Sequence, residues 1–155
     1  MRTLPYALPI ALLACAAPAL ALSDGVTQQG LPYVTGGITT DERDALTASR
    51  AERGVRVVTV ARAGGLYLAD VRVSIADDRG RRVLDARLDG PWLDVELAPG
   101  RYVIEAEFEG QRQSRPLTVG REGGREVYFR FDADTEPGSG VAVDQNRNGY
   151  PAAGA

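Results

Sequence analysis

Residues 97–108, Leu-Ala-Pro-Gly-Arg-Tyr-Val-Ile-Glu-Ala-Glu-Phe, decide the fold of this chain. Pro99-Gly100 is a turn signal, and the apolar or aromatic residues after it fall at every second position. They are Tyr102, Ile104, Ala106 and Phe108. Successive side chains of a strand point to opposite faces of its sheet, so this period indicates a strand that is buried on one face. The stretch therefore predicts a hairpin turn followed by a half-buried strand.

Further segments on both sides of this stretch show the same period of two. Their apolar positions are Val71, Val73 and Ile75, then Leu84, Ala86 and Leu88, then Leu93, Val95 and Leu97, and finally Val127, Phe129 and Phe131. Turn signals such as Asp89-Gly90 separate them. With residues 55–61 and 117–119 added, the pattern predicts an all-β fold, a small antiparallel β-sandwich of about seven strands. Pro116 would interrupt a central strand, so we expect its strand at an edge.

One short helix is expected before the strands, at about residues 40–53. Thr39 and Glu42 have the spacing of a capping box, and Gly54 closes the segment. The residues expected to face inward are Ala45, Leu46 and Ser49. The rest of the N-terminal segment, residues 23–54, lacks a regular pattern and is expected to be irregular.

Residues 1–22 have the layout of a secretory signal peptide. A single Arg precedes an apolar run that ends in Ala19-Leu20-Ala21, a small-x-small cleavage pattern. The pattern predicts a periplasmic or secreted protein without a membrane span, released after Ala21. Leu12-Leu13-Ala14-Cys15 resembles a lipobox, so a lipid anchor at Cys15 is the alternative.

The C-terminal residues 132–155 are rich in Gly, Pro, Ala, Asp and Asn, with little that could be buried. Such a composition is typical of a disordered tail. The sequence thus predicts a sandwich over residues 55–131, preceded by the N-terminal segment and followed by this tail.

The inventory of residue types excludes much chemistry. The chain has 155 residues with a net charge of −3, no His and one Cys, and all 18 basic residues are Arg. A Ser-His-Asp triad, a Schiff base and a His-ligated metal are therefore excluded. We expect no cofactor and no metal site. The cations are not clustered with aromatic residues, so we expect no nucleic-acid partner.

The hairpin Leu97–Ala106, with Gly110 after it, resembles a recurring hairpin of the carboxypeptidase regulatory-like family. Residues 69–75 and the Asp89-Gly90 turn are similar to two further elements of that family, and the likeness covers about residues 65–131. The resemblance implies a transthyretin-like (prealbumin-type) or immunoglobulin-like β-sandwich. It also implies a non-catalytic accessory domain of the cell envelope, and it transfers no binding residues.

Two aromatic side chains and two carboxylate pairs are the candidate site residues. Trp92 and Tyr128 point outward by parity and could stack on a sugar ring, or Trp92 could pack beneath the N-terminal helix. Asp77/Asp78 and Glu105/Glu107 could serve as the acid and nucleophile of a glycosidase. For Asp77-Asp78, a hairpin turn is the alternative.

Three hypotheses for the function follow. The leading one is a non-catalytic envelope interaction or structural module, without catalytic residues, whose partner is an envelope protein or a glycan. The first alternative is a carbohydrate-binding module that uses Trp92 or Tyr128. The second alternative is a small carboxylate-dependent hydrolase. The sequence leaves the oligomeric state open.

Overall fold

The computed structural model describes residues 22–27, 30–50, 54–121, 124–133 and 142–143. In chain order the elements are β1 (Ser23–Val26), β2 (Pro32–Gly36), α1 (Thr40–Ser49), β3 (Gly54–Ala61), β4 (Tyr67–Leu68), β5 (Arg72–Asp77), β6 (Arg82–Arg87), β7 (Trp92–Glu96), β8 (Gly100–Phe108), β9 (Gln111–Val119), β10 (Arg125–Phe131) and β11 (Ala142–Val143). The prediction of an all-β sandwich with one short N-terminal helix is confirmed.

The strands form two sheets. The larger sheet has seven strands in the order β1-β2-β7-β3-β4-β11, with β10 paired to β3, and the smaller has four in the order β6-β5-β8-β9. The strand β9, which contains Pro116, lies at an edge of the smaller sheet, as predicted. The prediction that all strands of the sandwich are antiparallel is wrong for one pair, because β10 runs parallel to β3. Parallel neighbours are not joined by a tight hairpin, so the local turn signals could not reveal this pairing.

The inner faces of the two sheets form one hydrophobic core. Val57 and Phe129 of the larger sheet are fully buried, as are Ile75 and Ile104 of the smaller sheet. These are the apolar positions of the period-two segments, so the predicted assignment of inner and outer faces holds. The charged residues that alternate with them on the four-stranded sheet are left on its outer face.

The N-terminal segment contains a hairpin where an irregular chain was expected. β1 pairs with β2, and β2 pairs with β7 through Tyr33 opposite Val95 and Thr35 opposite Leu93. Pro32 and Gly36 bound β2, and its sequence lacks a clean alternation. The hairpin extends the larger sheet beyond β7, and the sequence did not predict this extension.

The predicted capping box at the start of α1 is confirmed. The backbone N–H of Glu42 donates to Thr39 Oγ1 at 3.2 Å, and the Glu42 side chain reaches back to the N–H of Thr39. The inward face is partly corrected, because Leu46 is buried but Ser49 is exposed. The helix as described ends at Ser49, and residues 51–53 lie outside the described residues.

Charged side chains attach α1 to the turn that precedes it. Glu42 Oε2 accepts hydrogen bonds from the N–H groups of Gly37 and Ile38, at 3.1 and 2.8 Å. Arg43 Nη1 donates to the carbonyls of the same two residues, at 2.8 and 2.9 Å. Glu42 and Arg43 are buried although they are charged, since their polar atoms are satisfied by this backbone.

The two ends of the chain lie largely outside the described residues. The predicted signal peptide falls there except for Leu22, and so does the candidate lipid site at Cys15. Within the predicted tail, Ala142 and Val143 form β11 and pair with Leu68 and Tyr67 of β4. This part of the tail therefore adds a short strand to the larger sheet.

Candidate active site

The outward side chains of the four-stranded sheet form rows that cross all of its strands. One row consists of Asp85, Ser74, Glu105 and Ser114. The next row consists of Arg87, Arg72, Glu107 and Arg112. Residues directly opposite on antiparallel strands have neighbouring side chains, so these rows bring hydroxyls, carboxylates and guanidinium groups together.

Arginines pair with two of the carboxylates. Arg72 donates from Nε and Nη2 to the two oxygens of Asp85, each at 3.0 Å, and Arg82 Nη1 donates to Asp85 at 2.8 Å. The hydrogen bond from Arg72 holds the pKa of Asp85 below its ordinary value, although burial acts in the opposite direction. Arg112 Nη2 donates to Glu107 Oε2 at 2.7 Å, and this hydrogen bond raises the pKa of Arg112. Asp85 and Arg112 therefore stay charged at neutral pH.

Glu105 lies in the same region without such a pair. Within the part of the chain that the structure describes, its carboxylate has no hydrogen bond and no ion pair, although its charge helps to raise the pKa of Arg112. A groove of about 150 Å³ is lined by Glu105, Ser74, three arginines and the two paired carboxylates. A carboxylate beside guanidinium groups can accept a proton while the cations stabilise negative charge that develops nearby.

A second cavity continues this groove toward the turn between β8 and β9. It has a volume of about 400 Å³ and shares Arg72 and Glu107 with the groove. Asp70, Arg87 and Glu109 supply further charged groups to its wall. A molecule too long for the groove therefore has room to extend along the strands in this direction.

The structure brings Trp92 and Tyr128 together on the other sheet, remote in the fold from the groove. Both pair with Val58, from opposite sides of β3. The Trp92 side chain is half-buried, with the guanidinium carbon of Arg56 at 4.1 Å from its ring centroid. A β-carbon at Gly37 would lie 3.1 Å from the indole Cγ, so the N-terminal segment packs against this ring.

Tyr128 is the more accessible of the two aromatic residues, with 37% of its surface exposed. Its hydroxyl donates to Glu126 Oε1 at 2.6 Å, and the guanidinium carbon of Arg130 lies 5.7 Å from the ring centroid. Burial, followed by the hydrogen bond to Glu126, raises the pKa of Tyr128 to about 12. A stacking role for Trp92 and Tyr128 stays a prediction.

The two predicted carboxylate pairs have different surroundings. Asp77 lies at the turn between β5 and β6, where its carboxylate accepts hydrogen bonds from the backbone N–H groups of Arg79 and Arg81, at 3.0 and 2.9 Å. These bonds shape the hairpin turn that was the predicted alternative to a catalytic pair. Glu105 and Glu107 both line the groove, so the structure places only this second pair in a concave site.

Ser74 and Arg72 line the groove, but neither was predicted from the sequence as a member of a site. Their signal was present, because they occupy outward positions that alternate with Val73 and Ile75 on β5. Local alternation does not show which strand lies beside which, however. Only the observed register places Ser74 opposite Glu105, and Arg72 opposite Glu107.

Among residues 22–27, 30–50, 54–121, 124–133 and 142–143, no group of three or more His, Cys, Asp or Glu side chains is arranged to hold a metal ion. In the same part of the chain no helix has both the length and the apolar character needed to cross a membrane.

Comparisons with known proteins gave one solved structure of interest. No protein-family model matches the chain, and no curated protein matches it. A 5-hydroxyisourate hydrolase from Klebsiella pneumoniae is similar in structure, with 16% sequence identity and a TM-score of 0.43. The similarity covers 51% of this chain and 89% of that enzyme.

This comparison corrects the leading functional hypothesis. A non-catalytic module was expected, but the similar structure is that of a hydrolase, so the comparison does not support that expectation. At this level of identity no residue and no activity carry over, and a function must be argued from the groove itself. The described residues form a two-layered β-sandwich around one hydrophobic core.

Proposed function

We propose that the protein is a small carboxylate-dependent hydrolase, with its active site in the groove on the outer face of the four-stranded sheet. The observation that carries the proposal is the position of Glu105. It is the one groove carboxylate without an ion-pair partner among the described residues, and it lies in a row next to the Arg72 and Arg112 row. A base and cationic groups therefore line the same concave surface.

The chemistry follows from the charges that are present. Glu105 is suited to accept the proton of an attacking hydroxyl or water, because no arginine occupies its oxygens. The N–H groups of Arg72 and Arg112 that are not bonded to Asp85 or Glu107 are suited to stabilise the oxyanion of a tetrahedral intermediate. Their pairing with carboxylates holds the two guanidinium groups in place before the substrate binds.

The size and charge of the groove limit the substrate. Three arginines face three carboxylates, so the groove has no net charge to select a strongly charged molecule. Its volume of about 150 Å³ accommodates only a small group around the bond to be cleaved. A small polar ester or amide, with the remainder of the molecule in the adjoining cavity, fits these limits best.

The test is a panel of small esters, amides and cyclic ureides with the purified protein and its Glu105→Gln variant. We expect measurable turnover of at least one class, with kcat/KM lowered about 100-fold or more in the variant, the range for loss of a general base. Glu96→Gln is the matched control, because Glu96 is exposed at the end of β7 on the other sheet. Absence of turnover across the panel would overturn the proposal, and so would equal turnover by the wild-type protein and the Glu105→Gln variant.

We also propose that the chain is exported and that it is related to the carboxypeptidase regulatory-like family. The apolar run that ends at Ala19-Leu20-Ala21 supports export, and the hairpin Leu97–Ala106 supports the relationship. Mass spectrometry of the protein from a periplasmic fraction tests the first point. A mature chain that begins after Ala21 is expected, whereas a lipid-modified Cys15 would replace release by anchoring.

A further inference from the structure

We propose that Ser74 is the nucleophile of this hydrolase and that the reaction proceeds through an acyl-enzyme formed on its hydroxyl. The inference rests on the proposed function and adds a covalent step to it. A hydrolase that uses Glu105 needs only an activated water, so the role of Ser74 is a separate question with a separate test.

The strand register places Ser74 between two residues that carry carboxylates. On β5, Ser74 lies opposite Asp85 of β6 on one side and opposite Glu105 of β8 on the other. Opposite residues of antiparallel strands have β-carbons about 4.5–5.5 Å apart, which brings a serine hydroxyl within reach of a glutamate side chain. Ser74 is half-buried and lines the groove, and its hydroxyl has no hydrogen-bond partner within the described part of the chain.

Of the two carboxylates, Glu105 is the one able to act as the base. Asp85 accepts hydrogen bonds from both Arg72 and Arg82, and its lowered pKa makes it a poor proton acceptor. Glu105 has no guanidinium partner that would have to be displaced. A nucleophile next to a free base is the arrangement by which a serine hydroxyl is activated.

Ser114 provides an internal comparison for this assignment. It also lies opposite Glu105, on the side away from Ser74. Ser114 is exposed on the edge strand β9, however, and it is not among the residues that line the groove. The same base therefore has two serine neighbours, of which only Ser74 faces the position where a substrate would bind.

The proposed reaction has two balanced steps. Ser74 Oγ attacks the carbonyl carbon, its proton passes to Glu105, and the resulting oxyanion faces the guanidinium groups of Arg72 and Arg112. The bond to the leaving group then breaks, and the leaving group takes the proton from Glu105. Water next attacks the acyl-enzyme with Glu105 as the base, and the acid product leaves as the Ser74 hydroxyl is restored.

The experiment uses p-nitrophenyl acetate with the full chain, quenched in acid during turnover and analysed by intact mass and peptide mapping. We expect one acetyl group on the peptide that contains Ser74 in the wild-type protein and in Ser114→Ala. We expect none in Ser74→Ala, together with a loss of steady-state turnover of about 100-fold or more. A Ser74→Cys variant checks the position independently, since its thiol should become acetylated at the same place.

The outcomes separate this inference from the proposed function. Full turnover by Ser74→Ala, with loss of turnover in Glu105→Gln, would overturn the nucleophile and leave a hydrolase that activates water directly. Full turnover by both variants would overturn the proposed function as well. Acetylation of Ser114 or of tyrosines in place of Ser74 would also overturn the assignment. Thermal unfolding followed by Trp92 fluorescence shows that each variant is folded before its activity is compared.

Discussion

The side-chain amide of Gln111 forms a pair of hydrogen bonds with the backbone of Asp132, as a neighbouring strand would. Gln111 Nε2 donates to the Asp132 carbonyl at 2.5 Å, and the Asp132 N–H donates to Gln111 Oε1 at 3.0 Å. Gln113 Nε2 likewise donates to the carbonyl of Arg130 at 2.5 Å. Two glutamines of β9 thus cover the end of the open edge of β10, where unpaired backbone groups would invite pairing with another chain.

Loss of the Gln111 amide should expose this edge. We expect Gln111→Ala to lower the free energy of unfolding by about 1 kcal/mol, because two net hydrogen bonds at a solvated edge are lost. We also expect faster aggregation at high protein concentration. Urea unfolding and light scattering measure the two effects. Thr118→Ala, an exposed outer-face position on the same strand, is the control, and equal behaviour of the two variants would contradict the edge-covering role.

Removal of one partner from the buried ion pair between Arg56 and Asp94 should strongly destabilise the protein. The two side chains form hydrogen bonds of 2.7 and 2.6 Å, with exposed fractions of 5% for Arg56 and 15% for Asp94. Asp94→Asn would leave a buried guanidinium without its counter-charge, at a cost of about 3 kcal/mol. Trp92 is the sole tryptophan of the chain and stacks on Arg56, so urea unfolding can be followed by its fluorescence.

A control for this prediction is available on the other sheet. Asp85→Asn removes a carboxylate that also pairs with arginines, but the Arg72 and Arg82 side chains are 64% and 56% exposed. Solvent can replace the lost partner there, so a much smaller loss of stability is expected. If Asp94→Asn were no more destabilising than Asp85→Asn, the burial of Arg56 would not be what makes the loss of its counter-charge costly.

The sequence predicted which face each residue takes better than it predicted which residues meet. Ile104 and Phe129 were placed in the core from alternation alone, and both are fully buried. The meeting of Ser74 with Glu105 depends instead on the pairing of β5 with β8, which β6 and β7 separate along the chain. A register irregularity between Ile75 and Ala76 adds a shift that no turn signal encodes.

At the candidate stacking site, too, the sequence predicted the face that Trp92 occupies but not the residues that contact it. Parity placed this residue outward, and the register confirms that it shares the outer face of the larger sheet with Tyr128. The N-terminal segment that packs against the indole was expected to be irregular, because residues 32–36 lack a period. Local patterning could not detect β2, so it could not predict that Gly37, which follows this strand, contacts the Trp92 ring.

Gly90 is needed because it packs directly against the backbone of Gly36. A β-carbon at Gly90 would overlap the Gly36 carbonyl group, which cannot move without displacing the end of β2. We expect Gly90→Ala to cost about 1–3 kcal/mol by overpacking. Gly100→Ala is the matched control, since its β-carbon would lie at an ordinary 3.4 Å from the Tyr102 ring. Thermal unfolding compares them, and similar melting temperatures would show that β2 can shift freely.

The raised pKa of Tyr128 predicts a loss of stability at alkaline pH. In the folded protein this pKa is about 12, because of burial and the hydrogen bond to Glu126, whereas an unfolded tyrosine ionises near pH 10. The folded state therefore retains a proton that the unfolded state releases in this range. The stability from this difference is complete below about pH 10 and is lost as the pH rises toward about 12.

Tyr128→Phe removes the titrating group, so its melting temperature should fall less steeply than that of the wild-type protein between pH 9 and about pH 11. Tyr102, whose pKa is also raised by burial, leaves some alkaline dependence in both proteins. Parallel melting curves for the two proteins across this range would show that the Tyr128 hydroxyl is not held in its neutral form by the fold.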